Sequence, residues 1–252
     1  MQLRGMKAIV TGGASGLGLA CARNLARKGA EVFVADTDEQ AGAKASSDDG
    51  ICFIKADVTD PEAVNALFDQ ATNGEEPARI LVNCAGIAPL LKLVRAGVPH
   101  CLDTFNHVLR TNITGTFLPI LHFALSLKDA EGIGEERGVV INTSSVAAFD
   151  GHEGHTAYAA SKGAINAMTL PLARELASDQ IRIATIAPGL FETPMLANVP
   201  NPRKVELGCQ VPHPTRLGMP DEYAALALHI IENPYINGEI IRLDGGLRMM
   251  AS

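Results

Sequence analysis

The segment MKAIVTGGASGLGLACARNLARKG, residues 6–29, passes from a short apolar run through a glycine turn into a helical repeat. Residues 6–11 predict a buried β-strand, and the apolar residues after Gly18 recur at helical spacing until Lys28-Gly29, a cation followed by a helix-ending glycine. Glycines let the backbone turn tightly, and the free N–H groups at a helix start attract anions. This order of strand, turn and helix indicates a phosphate-binding loop.

The second predicted strand, residues 31–35, ends in Asp36. An acid at this distance from a glycine turn lies where a ribose 2′-hydroxyl of a dinucleotide would bind. Its carboxylate would accept the hydroxyl's hydrogen bond and repel a 2′-phosphate. No arginine stands at Gly13 or Thr37 to bind such a phosphate, so the sequence predicts NAD as the cofactor.

Further apolar runs predict strands at residues 51–56, 80–82, 138–143, 181–187 and 238–243, with helical patterns between them. The alternation is typical of repeated βα units. We therefore expect an α/β fold with a doubly wound, Rossmann-type parallel sheet and helices on both faces. Neither a repeat nor a linker divides the chain, which predicts a single domain over residues 1–252.

Polar residues follow several of these strands. The glycine turn, Asp36, Asp57, Asn83 and Ser145 all fall at carboxyl ends of predicted strands. Ligands in open α/β sheets bind outside those ends. These residues are therefore expected to converge on one site.

Tyr158 and Lys162 lie four residues apart in a predicted helix, residues 157–177, so their side chains share one face. Two unit charges about 4 Å apart interact by about 4 kcal/mol at an effective dielectric near 20, roughly three pKa units. Lys162 is therefore expected to lower the pKa of Tyr158 toward neutrality. In isolation, such a pair is an ordinary helical contact; its place beside the predicted site favours catalysis.

Other stretches leave alternatives open. A long helix is predicted over residues 102–128, in which Asn112 is either a satisfied core amide or an active-site group. Residues 88–103 and 190–216 are predicted to be irregular, and the second is interpreted as a lid or substrate loop. For His152 and His155 a solvated or substrate-rim role is favoured, and no metal site is predicted.

Composition narrows the class of protein. The chain has 252 residues, 47% of them hydrophobic, which permits a large core, and its formal charge of −7 without a basic run argues against direct nucleic-acid binding. Five cysteines without paired spacing indicate reduced thiols. With neither a signal peptide nor a membrane span recognisable, a cytoplasmic location is expected.

The motifs form one set: Thr11-Gly12, Gly16-Leu17-Gly18, Asp57-Val58, Asn83-Cys84-Ala85-Gly86, Asn112, Ser145, Tyr158, Lys162 and Pro188-Gly189. This set resembles the short-chain dehydrogenase/reductase family over essentially the whole chain. The resemblance implies a seven-stranded parallel sheet and usually a homotetramer. It also implies that Tyr158 is the general acid/base, that Lys162 lowers its pKa and holds the nicotinamide ribose, that Ser145 binds the substrate oxygen, and that Asn112 supports a water-linked proton path. The cofactor residues that follow from it are Gly12, Ser15, Gly16, Leu17, Gly18, Asp36, Asp57, Val58, Asn83, Cys84, Gly86, Tyr158, Lys162, Pro188, Phe191 and Thr193.

Within the family, the chain is most similar to members that oxidise the 3-hydroxyl of short or branched 3-hydroxyacyl-CoA thioesters, some of which also act on steroids. The similarity lies in residues 142–149, 186–191 and 231–234 and in Cys84. An NAD-dependent dehydrogenase for such a thioester is therefore the first hypothesis. Two alternatives remain: a dehydrogenase for a sugar, polyol or other ketone, and a cofactor-binding scaffold subunit. Residues 90–104 and 197–213, which resemble those members less, are the ones that would choose among substrates.

Overall fold

The computed structural model describes residues 1–73, 76–197 and 199–249. Its strands are β1 (Lys7–Thr11), β2 (Glu31–Asp36), β3 (Ile51–Lys55), β4 (Ile80–Asn83), β5 (Val94–Arg95), β6 (Val98–Pro99), β7 (Gly138–Thr143), β8 (Ile181–Pro188) and β9 (Ile240–Leu243). Its helices are α1 (Gly16–Arg27), α2 (Glu39–Ala45), α3 (Pro61–Thr72), α4 (Leu102–Leu109), α5 (Gly115–Ser126), α6 (Ala147–Asp150), α7 (Thr156–Glu175), α8 (Asn201–Cys209) and α9 (Pro220–Glu232).

Seven strands form one sheet in the order β3-β2-β1-β4-β7-β8-β9, and every neighbouring pair is parallel. The chain runs outward from β1 to β3, then returns to β4 and continues to β9. That reversal between β1 and β4 defines the doubly wound topology and opens a crevice at the carboxyl edge. The predicted parallel α/β sheet is confirmed.

Apolar side chains cover the sheet on both faces, as its continuous hydrophobic strands require. One buried cluster joins the sheet to α1 and α9 through side chains such as Leu25 and Ile230. The other joins it to α3, α5 and α7 through side chains such as Leu67 and Phe123. The central strands are thereby fixed, and the loops at their carboxyl ends have a rigid base.

Local sequence signals explain several helix boundaries. Asp60 caps α3 by accepting a hydrogen bond from the Glu62 N–H at 3.0 Å, and Pro61 occupies the first turn. Asp38 caps α2 in the same way. Within the described residues, no helix has the length and apolar character needed to cross a membrane.

The structure differs from the sequence prediction in three segments. The helix predicted over residues 102–128 is divided into α4 and α5 by a π-helical turn, Arg110–Thr114. The segment predicted to be irregular at residues 88–103 contains the hairpin β5-β6. The segment 190–216 contains a short 3-10 turn, Pro194–Leu196, and α8.

Candidate active site

The carboxyl ends of four adjacent strands are in register. Thr11 pairs with Asn83, Asn83 with Asn142, and Asn142 with Thr185. The loops that leave this row carry the glycine turn, Cys84, Ser145 and the segment after Pro188. The structure therefore brings these sequence-predicted elements to one edge.

The glycine turn is shaped for close approach. Gly12 has φ +61°, and a Cβ atom there would lie 2.7 Å from the Ala85 N atom. A Cβ atom on Gly18 would collide with the Gly12 carbonyl. Ser15 begins α1 without a side-chain cap, so the first N–H groups of the helix remain available. This cradle fits the pyrophosphate of a dinucleotide.

The segment after β8 packs against the same turn. A Cβ atom on Gly16 would lie 3.4 Å from Pro194 Cδ and 3.5 Å from Thr193 Cβ. Pro188 reaches the site through its carbonyl, which accepts a hydrogen bond from the Val146 N–H at 3.0 Å. The segment that follows β8 therefore lies directly against the glycine turn.

Asp36 is positioned by the backbone around it. Its Oδ2 atom accepts a hydrogen bond from the Ala14 N–H at 3.3 Å, and Oδ1 accepts one from the Asp38 N–H at 3.2 Å. The half-buried carboxylate retains further lone pairs for a hydroxyl donor. Its location beside the turn fits a ribose.

The loop after β3 lies beside this cradle. The exposed Asp57 carboxylate accepts a hydrogen bond from the Thr59 N–H at 2.8 Å, which fixes the loop. Val58 is buried and packs against Gly115 at the start of α5.

Lys162 is the buried cation of the site. Only 4% of the residue is exposed, and Nζ donates a hydrogen bond to the Thr143 carbonyl at 2.7 Å. The hydroxyl of Ser144 donates to the Lys162 carbonyl at 3.1 Å, which ties α7 to the end of β7. No ion pair among the described residues includes Lys162. Burial lowers the pKa of its ammonium to about 8.

Tyr158 lies beside this cation, with Lys162 Nζ 5.7 Å from the centre of its ring. Burial raises the pKa of Tyr158, and a hydrogen bond with Ser145 partly opposes that effect. The expectation that Lys162 brings this pKa toward neutrality is therefore wrong for the protein alone. The desolvation of the phenolate prevails, and Lys162 Nζ donates its hydrogen bond to the Thr143 carbonyl.

Asn112 lies in the π-helical turn and is fully buried. Its Oδ1 atom accepts a hydrogen bond from the Ile87 N–H at 2.9 Å, and Nδ2 donates to the Ile87 carbonyl at 3.0 Å and to Ser161 Oγ at 2.9 Å. A Cβ atom on Gly86 would lie 3.2 Å from Asn112 Oδ1 and 3.5 Å from Lys162 Nζ. The amide is thus both satisfied in the core and adjacent to the Lys162 ammonium.

Two predicted cofactor residues direct their side chains elsewhere. Asn83 donates from Nδ2 to Asn142 Oδ1 at 3.0 Å and accepts from the Thr11 hydroxyl at 3.4 Å, so its amide belongs to the interior of the sheet. The ring of Phe191 is buried and meets the Tyr223 ring edge to face, at 6.5 Å between centroids. Because both groups are occupied by the fold, only their backbones remain available to a ligand.

Sequence reasoning missed an ion pair that holds the segment after Ser145. Arg242 on β9 donates to both carboxylate oxygens of Asp150, at 3.0 and 2.8 Å, and lies 5.0 Å from the centre of the Phe149 ring. A charged residue within the apolar strand sequence IIRL was the available signal. The pair attaches α6, which begins two residues after Ser145, to the far edge of the sheet.

The two histidines form a row of rings with Tyr158. His152 and His155 are 5.4 Å apart between ring centroids, and His155 and Tyr158 are 6.1 Å apart. Burial lowers the pKa of His155. The residues that the structure describes contain no group of three or more His, Cys, Asp or Glu side chains that could hold a metal ion.

Fold and site together define an oxidoreductase of the doubly wound α/β class, with a dinucleotide cradle beside a Ser–Tyr–Lys arrangement. The sequence model of the short chain dehydrogenase family matches residues 6–204. The chain belongs to this family.

Relatives agree over the full length. The chain is 44% identical to 3-hydroxyacyl-CoA dehydrogenase type-2 of Drosophila melanogaster, covering 99% of this chain and 100% of the relative. It is 47% identical to the Homo sapiens protein of the same name, covering 98% and 97%. A crystal structure of 3-hydroxyacyl-CoA dehydrogenase type-2 from Mycobacterium avium superposes with a TM-score of 0.91 at 33% identity, covering 99% of both chains.

Proposed function

We propose that this protein is an NAD-dependent dehydrogenase that interconverts the 3-hydroxyl and 3-keto forms of short or branched 3-hydroxyacyl-CoA thioesters. The observation that carries the proposal is the buried Lys162 ammonium beside Tyr158 and below Gly86. A buried cation without a carboxylate partner is costly in a structural role and useful beside a proton-transferring group. The names of the relatives support the thioester as substrate.

The cofactor would lie across the cradle. The glycine turn and the start of α1 would hold the pyrophosphate, and Asp36 would accept a hydrogen bond from the adenosine ribose. Lys162 would hold the second ribose. When bound, NAD supplies the acceptor for the hydride that leaves the alcohol carbon.

The proton would pass through Tyr158. In the oxidative direction its phenolate accepts the hydroxyl proton, while Ser145 donates a hydrogen bond to the substrate oxygen as a carbonyl forms. Because burial raises the pKa of Tyr158, its anion needs a neighbouring positive charge. Lys162, with a pKa of about 8, remains mostly protonated at neutral pH and supplies that charge.

Asn112 would act on the other side of Lys162. Its amide and the Ile87 backbone form a fixed polar wall next to Nζ. We propose that this wall orders water, through which a proton leaves Lys162 toward solvent.

Two segments would form the substrate side. The Leu91 N–H donates to the Gly154 carbonyl at 2.8 Å, and Lys92 pairs with Glu153 at 2.7 Å, so the β5-β6 hairpin is attached next to the histidine row. This hairpin exposes apolar side chains, among them Leu93 and Val94. Such a surface suits an acyl chain better than a sugar.

We also propose self-association, in agreement with the tetramer that the family resemblance implies. Phe117, Leu121 and Leu125 recur every four residues on α5 and are 42%, 42% and 59% exposed. An exposed apolar stripe of this kind is typical of an interface between helices. Light scattering should give a mass above one chain, and Leu121→Lys should reduce it.

The test of the function is turnover with a panel of substrates. Reduction of NAD and of NADP would be measured with 3-hydroxybutyryl-CoA, 3-hydroxy-2-methylbutyryl-CoA, a steroid and a sugar alcohol. Tyr158→Phe should abolish thioester oxidation while NAD binding persists, and Tyr235→Phe, at a tyrosine that is 97% exposed, is the matched control. Activity confined to non-thioesters would refute the proposed substrate class. Full activity of Tyr158→Phe would refute the proposed proton transfer through Tyr158.

A further inference from the structure

A buried tyrosine of α9 reaches the end of β7. Tyr223 is fully buried, and its hydroxyl oxygen lies 2.7 Å from the hydroxyl oxygen of Thr143, the last residue of β7. The Thr143 hydroxyl donates a hydrogen bond to Cys84 Sγ at 3.3 Å, and Cys84 Sγ lies 3.9 Å from the Tyr223 hydroxyl oxygen. Three side chains from separate segments therefore close a ring of contacts beside the site.

The protons of this ring determine the direction of its hydrogen bonds. Each of the three groups carries one proton. Because the Thr143 hydroxyl donates to Cys84 Sγ, Tyr223 is the donor in the 2.7 Å bond, and the Cys84 thiol donates weakly to the Tyr223 oxygen. Burial raises the pKa of Tyr223, so its phenol keeps this proton at neutral pH. Thr143 therefore accepts a hydrogen bond from one neighbour and donates one to the other.

The ring fixes a part of β7 that the sheet pairs on one side only. The pairing of β7 with β8 extends to Thr143 and Ile186, whereas its pairing with β4 ends one residue earlier, at Asn142 and Asn83. On the β4 side Thr143 is instead bonded through its hydroxyl. Its carbonyl accepts the 2.7 Å hydrogen bond from Lys162 Nζ. The ring therefore stabilises the residue whose carbonyl holds the buried ammonium.

We propose that Tyr223 is a positioning residue, which acts through Thr143 to hold the Lys162 ammonium beside Tyr158. Its side chain has two separable parts. The ring packs edge to face against Phe191, at 6.5 Å between centroids, whereas the hydroxyl bonds Thr143. The proposal rests on the proposed function in one respect, namely that Lys162 assists proton transfer at Tyr158.

Removal of the hydroxyl alone should weaken this support. Tyr223→Phe keeps the ring against Phe191 and leaves the Thr143 hydroxyl oxygen without its donor. Thr143 thereby loses the shorter of its two side-chain bonds, so its carbonyl and the Lys162 ammonium can shift relative to the Tyr158 ring. Because a displacement on the order of 1 Å at a reacting group can cost about 100-fold in rate, we expect kcat to fall by about tenfold.

The experiment compares the full chain with Tyr223→Phe, Thr143→Val and the double variant. Thr143→Val removes the partner hydroxyl and keeps the carbonyl that Lys162 uses. At saturating NAD and 3-hydroxybutyryl-CoA, kcat should fall by about tenfold in each single variant and by no more than about tenfold in the double variant, because both changes remove the same interaction. KM for the thioester should stay within about twofold, since Ser145 and Tyr158 are unchanged.

The matched control is Thr169→Val on α7. Thr169 and Thr185 are fully buried, and their hydroxyl oxygens also lie 2.7 Å apart, so this variant removes a bond of the same kind. Its urea midpoint should fall about as far as that of Tyr223→Phe, while its kcat should stay within about twofold of wild type. Additive losses of about 100-fold in the double variant would overturn the proposal. So would a kcat of Tyr223→Phe within about twofold of wild type, or an equal fall of kcat in the control.

A second measurement does not require turnover. Without NAD, the difference in unfolding free energy between a protein and its Lys162→Met variant starts to rise with pH at the folded pKa of Lys162. In the Tyr223→Phe background this rise should begin at a lower pH than in wild type, because the ammonium has a less firmly held acceptor. Tyr158 on α7 and Cys84 after β4, which face Lys162, are kept in every variant. An unchanged onset would overturn the positioning role. If the wild type oxidises no alcohol of the panel, the proposed function fails, and this onset still decides the positioning role.

Discussion

The replacement Asp36→Asn tests the proposed preference for NAD over NADP. The structure positions this carboxylate through the Ala14 and Asp38 N–H groups, so an amide of the same shape keeps one acceptor for them. What the variant loses is the charge and one of the two oxygen acceptors. Two effects then act in the same direction on the ratio of the two cofactors.

The first effect weakens NAD. A hydrogen bond to a charged acceptor contributes about 1.5–3 kcal/mol, so kcat/KM with NAD should fall by roughly tenfold or more. The second effect relieves NADP. A 2′-phosphate with about −1.5 charge, placed about 5 Å from the half-exposed carboxylate, is repelled by about 1 kcal/mol in water, and this repulsion disappears. The NAD/NADP ratio should therefore change by on the order of hundredfold.

The matched control is Asp38→Asn, two residues further on, which removes the same charge from the same loop. Asp38 caps α2 by accepting hydrogen bonds from the Gln40 and Ala41 N–H groups, both at 3.0 Å. Asn caps a helix about as well as Asp, so this control should lower stability by less than about 1 kcal/mol and leave the cofactor ratio within about twofold. Steady-state rates with both dinucleotides measure the outcome. A change of less than about threefold in Asp36→Asn would refute the role given to this carboxylate.

Three further outcomes are expected. Lys162 has a folded pKa of about 8 and an unfolded pKa near 10.4, so the unfolded chain binds more protons between these values and stability rises with pH. In urea unfolding without NAD, the difference in unfolding free energy between wild type and Lys162→Met should therefore increase by about 2 kcal/mol in favour of the wild type between about pH 7.5 and about pH 9.5. A parallel pH dependence of the two proteins would contradict this pKa. Asp150→Asn should cost about 2 kcal/mol of unfolding free energy, because it weakens the two-point bond from Arg242 in a mostly buried pair; a urea midpoint equal to wild type would count against that bond. Gly12→Ala should be about 2 kcal/mol more destabilising than Gly16→Ala, since both have positive φ and only the first would meet backbone atoms; equal thermal shifts would show that the contact is relaxed.

The sheet was predictable because its signals are local. Buried apolar runs of four to eight residues, bounded by glycine, asparagine and acids, specify strands without knowledge of their partners. The division of the helix at Asn112 was signalled only as an awkward residue in a helix interior. Its cause is tertiary, since the π-helical turn delivers the amide to the Ile87 backbone. The direction of the Asn83 side chain could have been predicted from the sequence, because strand alternation places it on the same face of the sheet as Leu81.

The electrostatics of the site were less predictable. An i, i+4 spacing places a phenol and an ammonium on one helix face, but it does not reveal which acceptor the ammonium prefers. In the structure Nζ bonds the Thr143 carbonyl, a group that lies 19 residues away along the chain. Burial then determines the direction of both pKa shifts, lower for Lys162 and higher for Tyr158. These quantities depend on packing between β7 and α7, which no short motif encodes.

Three successive residues, from the last residue of β7 onward, make different contacts at the site. Thr143 holds Lys162 through its carbonyl and bonds Tyr223 through its hydroxyl at 2.7 Å. Ser144 is fully buried and donates to the Lys162 carbonyl at 3.1 Å, whereas the Ser145 hydroxyl accepts from the Ala147 N–H at 3.1 Å. Ser144 and Ser145, the first two residues after β7, therefore face different partners.

We therefore predict that Ser144 does not substitute for Ser145, and the pair Ser144→Ala and Ser145→Ala would separate positioning from catalysis. Ser144→Ala leaves the buried Lys162 carbonyl without its donor and should cost about 1 kcal/mol of stability with a small change in kcat. Ser145→Ala removes a donor to the reacting oxygen and should lower kcat by about 100-fold or more with little change in stability. Urea unfolding and steady-state rates on both variants test this division. Equal losses of kcat would show that the two hydroxyls share the substrate oxygen and that the strand end is more mobile than its hydrogen bonds indicate.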